Sequence, residues 1–435
     1  MESSEYVTQK AKLLAWGIFL IFFIDNGTLG LLPKSAYFLY RNVRISDLLL
    51  YGITVYSLFC VKEYFELYTS RMLILIKLIL VYLFGQFIVS VILYEQNFIE
   101  YFFRLKGIWT SLLIFPFLLL LKRGGFVYLA KIILPVAIVS NILYILSALT
   151  GVAFMPDIGI DKQELPGGLK VYRVFGGTFF GEFFFLYFVY KWITDKFHLW
   201  QLPLVLLFAT PHILAFGRAA WVLLSFIIIS IFIWNIYKTR KFKVFLRQAF
   251  ILGIVLAAVV YAFIKYVPES DYFAEALEAR VIQGHEDYRY KTGTYGSRIQ
   301  NMEALIRLWY QSNIMFGVGM HPMWVIRAQT VEESIYTWGF SDIRWAGILA
   351  AYGLTGFLLA VIFQLYYGIL SFRALIKANK KNTITFFILV TFCTFFFDTV
   401  INYSYKLFTL TLWGLSQVTA FYIAVLIYHY HYPEK

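Results

Sequence analysis

Apolar residues run along this chain in long blocks, separated by short stretches where charge, glycine or proline collects. A helix crossing about 30 Å of hydrocarbon at about 1.5 Å per residue needs roughly 20 such residues. Blocks near that length fall at 11–31, 46–61, 72–94, 107–121, 126–149, 174–193, 201–216, 219–236, 248–266, 345–366, 384–404 and 407–428, the second, fourth and seventh being short. The pattern predicts an all-α polytopic membrane protein, a single transmembrane domain over 1–435 with about twelve transmembrane helices. The opening MESSEYVTQKAK leads into the first block with no small-residue cleavage pattern after it, so that block reads as a retained span. No internal repeat or low-complexity segment is apparent.

Two stretches break the pattern. One runs from Gly151 to Gly177 and holds Asp157, Asp161, Glu164, Pro166, Gly167, Gly168 and Arg173. The other, 267–344, is far longer than the usual connection of about 4–6 residues, and such loops carry function or disorder. Both signs of charge mix in it, from Asp271, Glu275 and Glu278 to Arg280, Arg289 and Arg307. It also carries folding signals. Ser297 followed by Gln300 is a capping-box pattern, and Ile299, Met302, Leu305, Ile306 and Trp309 then recur at helical spacing. That spacing predicts a short amphipathic helix on the membrane face. Phe316-Gly-Val-Gly319 predicts a tight turn ahead of His321-Pro322.

Composition sharpens the class. Hydrophobic residues make up 60% of the chain and charged ones 14%, against the roughly 25% charge a soluble domain needs to cover its surface. The net charge of +13 raises the question of nucleic acid, which the placement of the cations answers in the negative. Lys122 and Arg123, then Lys238, Arg240, Lys241, Lys243 and Arg247, then Arg373, Lys377, Lys380 and Lys381 lie in short loops almost free of acid. That is the mark of cytoplasmic loops. An even number of spans then puts both termini in the cytoplasm and the two polar stretches outside. Cys60 and Cys393 fall in apolar surroundings and read as small buried hydrophobes.

Polar residues in or beside spans are costly and call for a reason. Arg218, in Thr210-Pro-His-Ile-Leu-Ala-Phe-Gly-Arg218-Ala-Ala-Trp221, sits at an external turn between two blocks. It reads either as a snorkelling side chain or as a guanidinium poised for paired hydrogen bonds to phosphate. His212 beside it reads as a supporting hydrogen-bonder. Arg173 stands just outside the sixth block, with Glu182 about two and a half turns further in, paired or lining a wet cavity. Arg298 opens the amphipathic helix, and Arg344 follows Asp342 at the mouth of the tenth block. Four arginines converging on one cleft would suit a diphosphate. His321 and Asp342 are the candidate bases, each with a bland alternative: a structural loop histidine, and an ion pair with Arg344. Asp398 lies within the eleventh block without an evident partner. No phosphate-binding loop, zinc helix or serine-nucleophile elbow occurs, and no metal or cofactor is expected.

Four stretches together resemble the superfamily of O-antigen polymerases and O-antigen ligases, bacterial membrane glycosyltransferases. They are Tyr172-Arg173-Val-Phe-Gly-Gly, Phe216-Gly-Arg218-Ala-Ala-Trp221, Ser297-Arg298-Ile-Gln-Asn301 leading to Phe316-Gly-Val-Gly319, and Ser341-Asp342 ahead of Ala351-Tyr-Gly-Leu-Thr-Gly356. The resemblance implies a C-type glycosyltransferase fold in the bacterial inner membrane with its active site facing the periplasm or cell exterior. It implies a glycan carried on undecaprenyl diphosphate, transferred with inversion and without metal. By the same analogy Arg173, Arg218, Arg298 and Arg344 would hold the diphosphate and Asp342 or His321 would act as base. Membrane lipid and a chain-length regulator protein are the further partners implied. The ligases carry a His-Asn pair where this chain has Gly339-Phe-Ser-Asp342-Ile-Arg344-Trp345, which favours polymerase over ligase. A lipid-linked oligosaccharide flippase or polysaccharide exporter is the non-enzymatic alternative, though transporters more often show two similar halves.

Overall fold

A computed structural model of the chain describes residues 8–40, 43–94, 98, 109–155, 159–165, 169–175, 178–194, 199–215, 218–239, 250, 261, 270–291, 293–311, 313–317, 344–378, 382–396, 410–411, 414–415 and 417–433. In chain order the first half holds α1 (Gln9–Asp25), β1 (Phe38–Tyr40), β2 (Val43–Arg44), α2 (Ile45–Phe59), α3 (Phe65–Tyr68), α4 (Ile74–Tyr94), α5 (Ile114–Lys122) and α6 (Phe126–Thr150). Then come β3 (Gly159–Leu165), β4 (Leu169–Phe175), α7 (Gly181–Thr194), α8 (Leu202–Leu214), α9 (Arg218–Thr239), α10 (Ser270–Tyr290) and α11 (Gly293–Gln311). The last are α12 (Arg344–Lys377), α13 (Thr383–Phe396), β5 (Leu410–Thr411), β6 (Gly414–Leu415) and α14 (Gln417–His431). Two compact units result: Met1–Thr28, Leu32–Ile132 and Gly296–Lys435 form the first, and Leu29–Leu31 with Ile133–Tyr295 the second.

The class expected from the apolar blocks holds: this is a helical membrane protein. Among the described residues four helical stretches are long and apolar enough to cross a bilayer, Arg71–Ile88, Phe126–Thr150, Trp221–Thr239 and Trp345–Lys377. A fifth is the pair Ile45–Phe59 and Val61–Tyr68, if it is one span bent by 71°. The ninth block, 248–266, lies outside the described residues apart from positions 250 and 261, as does Asp398.

Several boundaries move. The sixth block is not helical from its start: Leu169–Phe175 pairs antiparallel with Gly159–Leu165 over seven residues, and the helix begins only at Gly181. Glu182 therefore stands in the first turn of α7, not two and a half turns into a span. The last block opens with the small β5–β6 ribbon, Leu410 opposite Leu415, and its helix starts at Gln417. The amphipathic helix begins at Gly293, one turn ahead of Ser297, which is therefore not its cap.

In the first unit α5 is apolar all round, and Ile114 to Leu121 are all buried, as such a helix must be. Phe117 stacks on Phe22 of α1 and meets Phe421 of α14 edge-on at 5.2 Å. Phe387 of α13 meets Phe421 at 5.0 Å and Phe126 at 5.2 Å. Aromatic packing of this kind adds about 0.5–1.5 kcal/mol per pair beyond area burial, and it absorbs much of the phenylalanine in the chain. At the end of α1, Arg44 Nη1 donates to the carbonyls of Asp25 at 2.8 Å and Ile24 at 3.3 Å. A cation there satisfies carbonyls that the helix leaves open.

Between α5 and α6, Arg123 grips Glu63 with two parallel bonds, Nε to Oε2 at 2.9 Å and Nη2 to Oε1 at 2.8 Å, and donates to the Tyr56 hydroxyl at 3.0 Å. The hydrogen bond from Arg123 holds the Glu63 carboxyl below its ordinary value. Its folded pKa lies below the unfolded one, so the pair's contribution is present above the ordinary carboxylate range and is lost as pH falls through the lowered value. The Glu63 side chain is 45% exposed, which screens the pair. Arg123→Met is expected to cost about 1 kcal/mol at neutral pH. Thermal unfolding in detergent should show the deficit at pH 7 and its disappearance at acid pH.

Candidate functional site

In the second unit α7, α8 and α9 pack side by side, and their contacts fix which ends meet. Phe208 of α8 stacks on Phe184 at 5.6 Å and Phe188 at 6.2 Å, and the ring of Phe185 lies 6.2 Å from that of His212. The start of α7 is therefore beside the end of α8. The Trp221 indole donates to the His212 carbonyl at 2.7 Å, bringing the first turn of α9 to the same place. At the opposite end Asn235 Nδ2 of α9 donates to the Ile193 carbonyl of α7 at 3.0 Å.

Three of the residues singled out from sequence, Glu182, His212 and Arg218, lie on the helix ends that meet here. Arg173 is on β4, the strand that leads to α7, and opposes Asp161 in the ribbon register. Glu182 is one turn before Phe185 on the helix face that meets His212. Arg218 is the first residue of α9, three positions before Trp221. His212 Nε2 is shut off from solvent without a hydrogen-bond partner among the described residues. Backbone N–H groups at a helix start favour an anion.

What holds this end in place is a polar row on α6 that sequence reasoning passed over. Ser140 Oγ accepts from the Phe179 N–H at 2.9 Å, and the Tyr144 hydroxyl donates to the Val174 carbonyl at 2.9 Å. Asn141, fully buried, donates to the Ala137 carbonyl at 2.7 Å and leaves Oδ1 without a partner among the described residues. Gly181 packs its bare Cα against that amide, where a Cβ would stand 2.8 Å from Nδ2 and 2.9 Å from Cγ. Ser140 and Asn141 side by side in an apolar block were the signal available. Gly181→Ala is expected to lower stability by about 1–3 kcal/mol through overpacking. Adding Asn141→Ala should recover part of it in a thermal-unfolding cycle.

In the first unit a second constellation forms around a break in α12. Gly353 has φ +64° and ψ −166°, so Arg344–Tyr352 and Leu354–Lys377 are separate helical pieces. The turn Asn313–Gly317 docks on the break: Leu354 N–H donates to the Ile314 carbonyl at 2.9 Å and Thr355 N–H to the Met315 carbonyl at 3.1 Å. Asn313 Oδ1 closes the turn by accepting from the N–H groups of Met315 at 3.0 Å and Phe316 at 3.1 Å. On the other side Tyr82 of α4 donates its hydroxyl to the Tyr352 carbonyl at 2.8 Å and accepts from Gln86 Nε2 at 3.0 Å. Backbone groups freed by a helix break in a membrane protein must be satisfied this way.

Two of the sequence motifs thus meet directly, Phe316-Gly317 and Ala351-Tyr-Gly353. Tyr82 and Gln86, one turn apart in an apolar block, were missed, although that polar pair was visible. Arg344 opens the shorter piece of α12 and Arg298 lies on α11, both in the first unit, whereas Arg173 and Arg218 belong to the second. His321 and Asp342, the candidate bases, lie outside the described residues. The fold thus defines a helical membrane protein. No known protein family and no curated protein matches this chain.

Proposed function

We propose that the chain is a membrane glycosyltransferase, a scaffold of about twelve spans that joins undecaprenyl-diphosphate-linked oligosaccharide units into a surface polysaccharide. The observation that supports this reading is the shared end of α7, α8 and α9, where Arg218 begins α9 beside the ends that carry Glu182 and His212, with Arg173 on β4 of the same unit. Arg173 on β4 and Arg218 at the start of α9 are the guanidinium donors of this unit that can bind a diphosphate by paired hydrogen bonds. The acceptor hydroxyl attacks the anomeric carbon as the bond from that carbon to the diphosphate oxygen breaks, inverting the centre. The hydroxyl proton passes to Asp342 or His321, and the lipid diphosphate leaves with its charge held by the arginines.

The deciding experiment is reconstitution of purified protein with lipid-linked repeat units. Elongated glycan is the expected result. Passage of the units across the bilayer without elongation would make the protein a transporter and overturn the reading. Elongation is also expected to continue in excess chelator, because diphosphate is already a good leaving group once its charge is balanced by guanidinium. A strict divalent-cation requirement in that assay would refute arginine-only stabilisation.

A further inference from the structure

After Phe59 the chain turns by 71° and runs through Val61–Tyr68 before α4 begins. A helical arm at that angle cannot continue a straight span, and a stretch with one apolar side and one charged side suits the bilayer surface. Tyr64 and Leu67 are 1% and 0% exposed and face the protein. Both acids of the stretch are engaged by the same unit: Glu63 by Arg123, and Glu66 by the Tyr432 hydroxyl, at 2.6 Å, which Lys122 also contacts. The exposed side carries Lys62 and Arg71, without partners among the described residues, the paired but still exposed Glu63 and Glu66, and Phe59 and Phe65, 83% and 57% exposed. Lys77, in the first turn of α4, reaches back so that its ammonium donates to the Tyr68 carbonyl at 3.0 Å and lies 4.0 Å from the centre of that ring. A lysine turned this way marks where hydrocarbon gives way to headgroups.

We infer that the segment 59–73 is a binding surface for anionic phospholipid headgroups. Lys62 and Arg71 hold the phosphates, and Phe59 and Phe65 sit in the upper acyl layer. The charge pattern selects this occupant: Arg123 offsets Glu63, the Tyr432 hydroxyl and nearby Lys122 offset Glu66, and the balance of the face is cationic beside exposed phenylalanines, complementary to a negative headgroup over hydrocarbon. The loop of Lys122 and Arg123 lies at the same end, so the basic-loop rule assigns this leaflet to the cytoplasm. The inference stands apart from the glycosyltransferase reading.

The test is competition between phosphatidylglycerol and phosphatidylcholine for the full chain in mild detergent, read by native mass spectrometry. The parent should retain the anionic lipid preferentially. Lys62→Gln with Arg71→Gln should reduce that preference roughly twentyfold or more, each cation contributing about fivefold. Lys238→Gln on α9 should leave it unchanged. An undiminished preference in the double variant overturns the proposal. A second readout does not depend on lipid counting: a nitroxide at Phe65→Cys, in a Cys60→Ser and Cys393→Ser background, reconstituted in anionic bilayers. Stronger relaxation by oxygen than by a water-soluble nickel chelate supports the seated face, and the reverse overturns it.

Discussion

Arg218→Ala is expected to abolish glycan elongation while the protein still inserts and accumulates at the parent level. The position explains both halves of that outcome. Arg218 is the first residue of α9, so its substitution leaves the packing that anchors the helix intact: Trp221 on the His212 carbonyl and Asn235 on the Ile193 carbonyl. What is lost is a planar, permanently charged donor on the helix that starts where the ends carrying Glu182 and His212 meet. Loss of a charge-stabilising donor costs on the order of 10²–10³ in rate in other enzymes, and a diphosphate leaving group with two charges to disperse lies at the upper end. Arg218→Lys should also be impaired, because an ammonium offers a point charge in place of a two-pronged fork. Product ladders from membranes of each variant, normalised to protein by immunoblot, measure the effect. Long-chain product from Arg218→Ala at the parent level would eliminate the diphosphate clamp.

Gly353→Val is expected to have the largest effect on stability. Two costs add. Its φ of +64° lies in the left-handed region, which a β-branched side chain scarcely adopts. A Cβ there would also run into the carbonyl of Met315 and the N–H of Phe316, backbone atoms that cannot swing aside as a side chain can. The docked turn would have to leave, stranding the N–H groups of Leu354 and Thr355 and the carbonyls of Ile314 and Met315. Each buried unsatisfied group costs about 1–3 kcal/mol, so the total exceeds about 4 kcal/mol, enough to unfold many domains. The expected readout is a collapse of monodisperse protein in fluorescence size-exclusion chromatography. By contrast Tyr82→Phe, which removes one hydroxyl from the far side of the break, should cost about 1–2 kcal/mol and leave the peak in place.

The contrast between these sites shows what could be read from sequence. Helix existence and class were legible because apolar blocks are long and local: α4, α6, α9 and α12 all lie within predicted spans or extend them. So was the amphipathic helix, whose Leu305 and Ala304 do turn inward. The β3–β4 ribbon was not, because 159–175 falls in a stretch that stood out only for its charge, glycine and proline, and its end overlaps the block that becomes α7. What selects a strand there is tertiary, the Tyr144 hydroxyl bonding the Val174 carbonyl and the pairing with Gly159–Leu165. The break in α12 was invisible for the same reason. A glycine in an apolar block ordinarily reads as a tolerated residue in a span, and only the arrival of Asn313–Gly317 from forty residues upstream turns Gly353 into a hinge of two helices. Of the site residues, Arg173, Glu182, His212 and Arg218 were chosen for their chemistry. The meeting of the ends that carry Glu182, His212 and Arg218 depended on how three helices stack, which no spacing rule encodes.

The meeting of Gly317 and Gly353 has an implication for tracing the ancestry of this chain. At Gly317, φ is +71° and a Cβ would strike the backbone of Ala350 to Gly353, while a Cβ on Gly353 would strike Met315 and Phe316. Each glycine therefore makes room for the other strand, and losing either one closes the joint from its own side. Selection on such a pair acts on both members at once, and a second substitution cannot compensate the first. Together with Gly181, which makes room for the buried Asn141 amide in the other unit, these positions amount to a four-point barcode. Distant cousins whose membrane-facing surfaces have drifted beyond recognition should still carry it.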